Sequence, residues 1–230
     1  TEMKLKKIAS LMLAGVMVVS TLAGCSGKET DKTDDKEDNQ IVATSNAVTY
    51  ANDALSASEK EYITVKASAT LDGWTKDIAT DTSVFKATDI EYTYKNLTTA
   101  KGNASSVNDR MHQDAMRKKL TKKLMDSNVV CVDDINIDFE KVPADKKSQA
   151  GSLLYTVSGM LDEKSAVESV VSAVHGVKCP EQIDSNKYNC EYTAEISSVK
   201  VTNDSLNGES AWVIAVVITQ NVTEAANVQV

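Results

Sequence analysis

Cysteine and histidine are the residue types that most often supply nucleophiles, disulfides or metal ligands, and this chain has four cysteines and two histidines. These six residues lie far apart: Cys25, His112, Cys131, His175, Cys179 and Cys190. No Cys-x-x-Cys pair, glycine-rich phosphate loop or Gly-x-Ser-x-Gly motif occurs. The sequence therefore predicts no metal site, no cofactor and no catalytic residue, and we expect a protein that is not an enzyme.

The N-terminus has the composition of an export signal. Residues 3–7 contain three lysines, and residues 8–23 are mostly apolar. A basic start followed by an apolar stretch and small residues is typical of a secretory signal. The apolar run is shorter than the roughly 20 residues that a membrane-spanning helix needs. The alternative is an uncleaved membrane anchor.

The apolar run ends in Leu22-Ala23-Gly24-Cys25. This motif resembles the lipobox of bacterial lipoproteins. The resemblance implies that the Cys25 thiol receives a diacylglycerol and that residues 1–24 are cleaved off as the export signal. It also implies a protein that is fastened by lipid to the cell membrane, with its bulk on the extracytoplasmic face.

The segment after Cys25 predicts a tether. Residues 25–40 contain no Val, Ile, Leu or aromatic residue and are rich in Asp, Glu and Lys, so they cannot form a core. The alternative is an acidic docking tail. Residues 41–60 are ambiguous, because their weak apolar pattern fits either a short helix or an extended linker.

The remaining cysteines predict a structural bond. Cys179 and Cys190 flank a polar segment, and an extracytoplasmic location allows a disulfide to persist. A bridge between them would close a loop of about twelve residues and stabilise the fold by about 2–3 kcal/mol. Cys131 would then be a small buried hydrophobe. A rival pairing of Cys131 with Cys190 would leave Cys179 free.

We expect one α+β domain over residues 61–223, followed by a tail at 224–230. Apolar and polar residues alternate in the predicted strands, which cover residues 63–71, 90–94, 135–139, 153–161, 190–201 and 212–218. A phase slip at Ser197-Ser198 predicts a β-bulge. The last strand is apolar on both sides, which favours a central place in the sheet. Asn207-Gly208 predicts the turn that precedes it.

Apolar residues at helical spacing predict two helices, at residues 105–124 and 162–174, the second ending at His175-Gly176. The predicted order is β-β-α-β-β-α-β-β. Polar alternation on most strands predicts an antiparallel sheet of about six strands, with one face exposed to solvent and both helices on the other.

Five cations within seven residues lie on the first predicted helix: Arg117, Lys118, Lys119, Lys122 and Lys123. In an acidic protein such a cluster is a candidate contact for anionic lipid headgroups or anionic envelope polymers. The alternative is the solvated outer face of an amphipathic helix.

The net charge of −8 argues against nucleic acid as a partner, since phosphates are held by clustered Lys and Arg. We expect a binding or scaffold role at the cell envelope, with an envelope protein or an anionic polymer as partner. The alternatives are a ligand-capturing subunit of a transport or sensing system and a cell-envelope hydrolase. The hydrolase would require convergent titratable groups in a cleft.

Overall fold

The computed structural model describes residues 45–101, 107–132, 137–203 and 208–225. The predicted signal at 1–24, Cys25, the predicted tether and the predicted tail after residue 225 lie outside the described residues. The described part contains five helices and five strands. The helices are α1 Ala47–Ala54, α2 Ala69–Ala79, α3 Ala87–Asn96, α4 Val107–Asp126 and α5 Glu163–Val174. The strands are β1 Ile63–Lys66, β2 Ser148–Ser158, β3 Gln182–Ile183, β4 Tyr188–Asn203 and β5 Glu209–Glu224.

The predicted α+β class is confirmed, but the sheet is mixed rather than antiparallel. Its order is β1-β4-β5-β2, with β3 paired to the outer side of β4. Strand β1 runs parallel to β4, with Ile63 opposite Tyr192, whereas the other pairs are antiparallel. Strand β5 lies between β4 and β2, the central place that its two apolar sides predict.

Helices cover both faces of the sheet, so the prediction of one solvated face is wrong. Helices α1 and α5 pack on one face, which we call the α5 face, and α2, α3 and α4 pack on the other, the α4 face. Two cores result, one on each side of the sheet. Strands buried on both faces need no strict polar alternation, and every residue of β2 after Ser148 is buried.

The predicted strand at residues 90–94 is wrong, because this segment forms helix α3. Its Ile90, Tyr92 and Tyr94 alternate as in a strand, but the residues that pack inward are Ile90, Thr93 and Leu97, at helical spacing. The helix begins where the Asp89 carboxylate accepts a hydrogen bond of 2.8 Å from the Lys86 backbone N–H. Packing against the sheet overrides the strand preference of the aromatic residues.

The predicted strand at residues 63–71 is shorter than its alternation suggests. Strand β1 ends at Lys66, and Ser68 caps α2 by accepting a hydrogen bond from the Leu71 backbone N–H at 3.3 Å. Within residues 41–60 the structure forms α1 and a short 3-10 helix, Glu59–Glu61. Helix α1 contributes Ala47 and Ala51 to the core of the α5 face.

The other predicted elements divide into those that form and those that do not. Helices α4 and α5 and strands β2, β4 and β5 lie at the predicted places. Of the predicted strand at 135–139, residues 135 and 136 lie outside the described residues, and the rest forms only a single bridge between Asp138 and Lys178. The predicted turn residue Asn207 also lies outside them, while Gly208 has a positive φ of 78°.

No bulge interrupts β4, contrary to the prediction at Ser197-Ser198. The pairing with β5 runs without a break from Tyr188 opposite Glu224 to Asn203 opposite Glu209. The apolar residues of β4 change from one side of the strand to the other, because Ile196 packs in the α5-face core whereas Val199 packs against the α4-face core. A sheet that is covered on both sides produces such a change without an extra residue.

Side-chain hydrogen bonds fasten the start of α1 to the α5 face. The Ser45 hydroxyl donates to the Glu163 carboxylate at 3.0 Å, and its oxygen lies 2.9 Å from the Ser198 hydroxyl. Ser198 also donates to Glu163, at 2.6 Å. One carboxylate at the start of α5 thus connects α1, α5 and β4.

Candidate functional site

None of the three described cysteines forms a disulfide bond, so the predicted Cys179–Cys190 disulfide is wrong. The Cys190 backbone N–H donates to the Glu181 carbonyl at 2.7 Å, which places Glu181 rather than Cys179 opposite Cys190. The buried Cys190 sulfur instead accepts a hydrogen bond from Gln220 at 3.3 Å. The rival pairing also fails, because Cys131 packs against the α4-face core and Cys190 lies in the α5-face core.

The five cations predicted to cluster on α4 have different environments in the fold. Arg117 is buried, with 4% of its surface exposed. Lys119 pairs with Asp81, and Lys123 Nζ lies 3.0 Å from Asp77 Oδ2. These two lysines join α4 to the end of α2 and the residues just after it.

Lys118 and Lys122 remain exposed, one helical turn apart. A contact between α4 and an anionic surface therefore rests on two lysines rather than on five cations. The structure brings none of the five cations to the concave site described next.

That site is a pocket of about 90 Å³ on the α5 face. The sheet forms its floor, and α1 and α5 form its walls. Most of the lining side chains are apolar: Ala51, Leu55, Ile63, Val65, Val170, Val171, Val174, Val177, Ala194, Ile196, Val216 and Ile218. The other lining residues are Glu59, Tyr62, His175 and Cys179.

The pocket is buried at its floor and accessible at its mouth. Ile196, Val216 and Ile218 are each less than 5% exposed. The residues with polar side chains lie at intermediate exposure, except for His175, which is exposed. The arrangement is an apolar cavity with a polar rim, the usual design of a small-ligand site.

Glu59 is the acidic residue of the rim, and the 3-10 helix holds it in place. Its Oε2 atom accepts hydrogen bonds from the Ser56 N–H at 2.8 Å and from the Ser56 hydroxyl at 2.6 Å. The Ser56 hydroxyl in turn accepts a bond from the Glu59 N–H at 3.3 Å, which completes a reciprocal cap. The Ser56 hydrogen bonds lower the pKa of Glu59, so that its carboxylate is charged at neutral pH.

His175 lies at the C-terminal end of α5 and faces the second carboxylate oxygen of Glu59, Oε1. Its Nε2 atom is 3.3 Å from Glu59 Oε1. The Glu59 side chain is 17% exposed and the His175 side chain 45%. The pair connects the 3-10 helix to α5 across the mouth of the pocket.

Burial and the Glu59 charge also act on the two other polar groups of the rim. Burial raises the pKa of the Cys179 thiol to about 12, and the charge on Glu59 adds to this effect. Burial likewise raises the pKa of Tyr62, again with a contribution from Glu59. Both groups are therefore neutral at physiological pH. A protonated Cys179 is a poor nucleophile, so the rim lacks an activated thiol.

A buried hydrogen-bond network supports the loop that carries Cys179. The Tyr192 hydroxyl donates to the Pro180 carbonyl at 2.8 Å and accepts from Gln220 at 3.0 Å. Gln220, which is fully buried, also donates to the Phe139 carbonyl at 2.8 Å. The rings of Tyr62 and Tyr192 pack edge to face, with 6.4 Å between their centroids. The network fixes this side of the mouth relative to the sheet.

Sequence reasoning identified His175 as a helix end and Cys179 as a disulfide candidate, but it did not predict this pocket. Glu59 was missed altogether. The available signal is Ser56-x-x-Glu59, the pattern of a capping box, which fixes the geometry of the first turn. The apolar lining gives no separate signal, because each of its residues looks like ordinary core in the sequence.

No protein-family model, curated protein or solved structure matches this chain. Among the described residues, no three His, Cys, Asp or Glu side chains are grouped so that they could hold a metal ion. The helices of the same described ranges are all too short or too polar to cross a bilayer. The pocket is thus the feature of the described structure that best fits a functional site.

Proposed function

We propose that this protein is a lipid-anchored binding protein on the extracytoplasmic face of a bacterial cell membrane. The lipobox-like motif that ends in Cys25 supports the anchor. The open apolar pocket on the α5 face supports the binding role, and it is the observation that carries the proposal. A nonenzymatic role is favoured because the rim has a protonated thiol and one carboxylate rather than a pair of facing acids.

The size of the pocket sets the size of the bound group. Its volume of about 90 Å³ is smaller than the ~150 Å³ of an engineered cavity that takes up benzene. A branched alkyl group of about four carbons, such as an aliphatic side chain, fits that space. Such a group can belong to a free small molecule or to an envelope protein, and a free ligand would favour the alternative role in transport or sensing.

The binding role is tested with 3-methylbutan-1-ol and the whole chain. Methyl NMR signals of Val171, Val174 and Ile196 are expected to shift in a saturable way, with a Kd in the millimolar range. The variant Ala194→Leu fills the floor and should weaken binding at least tenfold. The matched control is Ala173→Leu, at an exposed position on α5, which should bind as the original chain does.

Two results would contradict the binding role. One is the absence of saturable shifts at the pocket methyls in the original chain. The other is unchanged binding by an Ala194→Leu variant whose circular dichroism shows the native fold. The shifts in the original chain keep the test valid even if the variant does not fold.

The anchor is tested by fractionating cells that produce the chain or its Cys25→Ala variant. The original chain is expected in the membrane fraction, and the variant in the soluble fraction, because two acyl chains suffice for stable attachment. Equal membrane association of both would refute the lipid anchor without affecting the test of the pocket.

A further inference from the structure

We propose that the pocket selects ligands that join a short branched apolar group to a positively charged head, with Glu59 as the counter-ion. This inference rests on the proposed binding role of the same pocket and adds the charge of the ligand. A primary ammonium on an aliphatic chain is the simplest member of the class, and the N-terminal residue of a peptide with an aliphatic side chain is another.

The Oε1 atom of Glu59 carries the inference. Ser56 occupies Oε2 with two hydrogen bonds, which holds the carboxylate in one orientation. Oε1 is left to face the mouth, where its partner is His175 at 3.3 Å. An ammonium group above the apolar pocket can donate to Oε1 while its alkyl chain lies between α1 and α5. A charge-assisted hydrogen bond of this kind is stronger than one between neutral groups.

The other charged groups at the mouth also favour a positively charged ligand head. None of the residues that line the pocket is Lys or Arg, and His175 is the one lining side chain that can become a cation. The negative charges of Glu59 and Glu181 both help to raise the pKa of Tyr62, after the larger effect of burial. The mouth is therefore a region of negative potential whenever His175 is neutral.

An anionic head is disfavoured for the same reason. A carboxylate placed above the pocket would face Glu59 in a partly desolvated setting, where like charges repel strongly. Lys178, which lies between the lining residues Val177 and Cys179 in the chain, pairs with Glu140 at 3.1 Å. Short fatty acids are thus expected to be poor ligands, although their alkyl chains fit the cavity.

Three probes with the same branched chain separate charge from shape: 3-methylbutan-1-amine, 3-methylbutan-1-ol and 3-methylbutanoate. Binding is measured by methyl NMR titration of the whole chain at pH 8, where imidazole is ordinarily neutral. The amine should bind about five- to tenfold more tightly than the alcohol, a factor that matches the excess of a charged hydrogen bond over a neutral one. The carboxylate should bind most weakly of the three.

Variants of the rim identify the counter-ion. Glu59→Gln keeps the shape of the side chain and an oxygen for Ser56 to donate to, and it should reduce the ratio of amine to alcohol affinity to about one. The matched control is Glu61→Gln, an exposed position of the same 3-10 helix, which should keep the ratio. His175→Ala should raise the ratio, because it removes a competing partner of Oε1.

The outcomes are distinct from those of the proposed function. Equal affinities for the three probes, an amine preference that persists in Glu59→Gln, or a preference lost in His175→Ala would each overturn the charge selection while the binding role stands. Failure of all three probes to bind would overturn the binding role itself.

Discussion

The two faces of the sheet are both buried, yet they are built from side chains of different size. On the α4 face, the helices present large residues such as Leu71, Ile78, Met116 and Leu120, all nearly inaccessible to solvent. On the α5 face, every buried residue of the two helices is Ala or Val: Ala47, Ala51, Ala166, Val167, Val170 and Val171. Small side chains fill less of the space over the strands, and the pocket lies where they do so.

The two faces also differ in what their ion pairs connect. On the α4 face, Lys119 and Lys123 join helix α4 to Asp81 and Asp77, so ion pairs connect one covering element to another. On the α5 face, the pair of Glu59 and His175 lies over an apolar cavity. Ion pairs thus join neighbouring elements on the α4 face, whereas on the α5 face the Glu59–His175 pair lies at the edge of the pocket.

Strand β5 offers a direct test of this comparison, because Val213 lies in the α4-face core and Val216 lines the pocket. We predict that Val213→Ala lowers the free energy of unfolding by about 2–3 kcal/mol, the cost of lost burial and a new cavity. Val216→Ala should cost less, about 1–2 kcal/mol, since an existing space adjoins it. Urea denaturation measures both, and equal losses would show that the two faces are packed alike.

A second test adds volume instead of removing it. Ala215→Val on the α4 face should destabilise the fold by about 1–3 kcal/mol, because that position is fully buried within the α4-face core and the added methyl groups would overpack it. Ala194→Val on the pocket floor should stabilise it by about 0.5–1 kcal/mol by filling part of the cavity. Thermal unfolding monitored by circular dichroism gives the sign of each change, and a loss of stability in Ala194→Val would speak against an unfilled pocket.

The smallest expected effect concerns pH. The pKa of Glu59 is lowered from 4.5 by the Ser56 hydrogen bonds, and that of Asp81 is lowered to about 2 by Lys119 and Ser83. A lowered pKa in the folded state stabilises the fold above the unfolded value, and this gain is lost as pH falls through the folded value.

The two carboxylates should therefore lose their contributions over different pH ranges. The stability difference between the original chain and Glu59→Gln should shrink below pH 4.5. The difference for Asp81→Asn should persist further, toward pH 2. Urea midpoints measured in steps from pH 7 to acid test this order, and the reverse order would contradict the structural assignment of both groups.

The sequence predicts the elements whose environment is uniform and misses those whose environment changes along the chain. Helix α5 and strand β5 have a consistent apolar pattern, and both were predicted. In α3, Ile90, Tyr92 and Tyr94 alternate as in a strand. The segment is nevertheless a helix, in which Ile90 and Thr93 are buried against the rest of the fold. The parallel pairing of β1 with β4 joins residues far apart in the chain, which periodicity alone does not report.

The pocket could not be predicted because it is a property of how layers meet. Its lining comes from α1, the 3-10 helix, α5 and three strands, and the unfilled volume depends on the distance between them. Of the rim residues, His175 has a sequence signal as a helix end, and Glu59 has one in its spacing from Ser56. Neither signal indicates that the two side chains meet.

The bonds of Ser45 with Glu163 and Ser198 have a mechanical consequence. A tension applied to the polypeptide at Ser45 is borne first by these three side chains, and only after they yield does it reach α1. Because Ala51 and Leu55 of that region form one wall of the cavity, pulling on this end of the domain would displace that wall and widen the cavity.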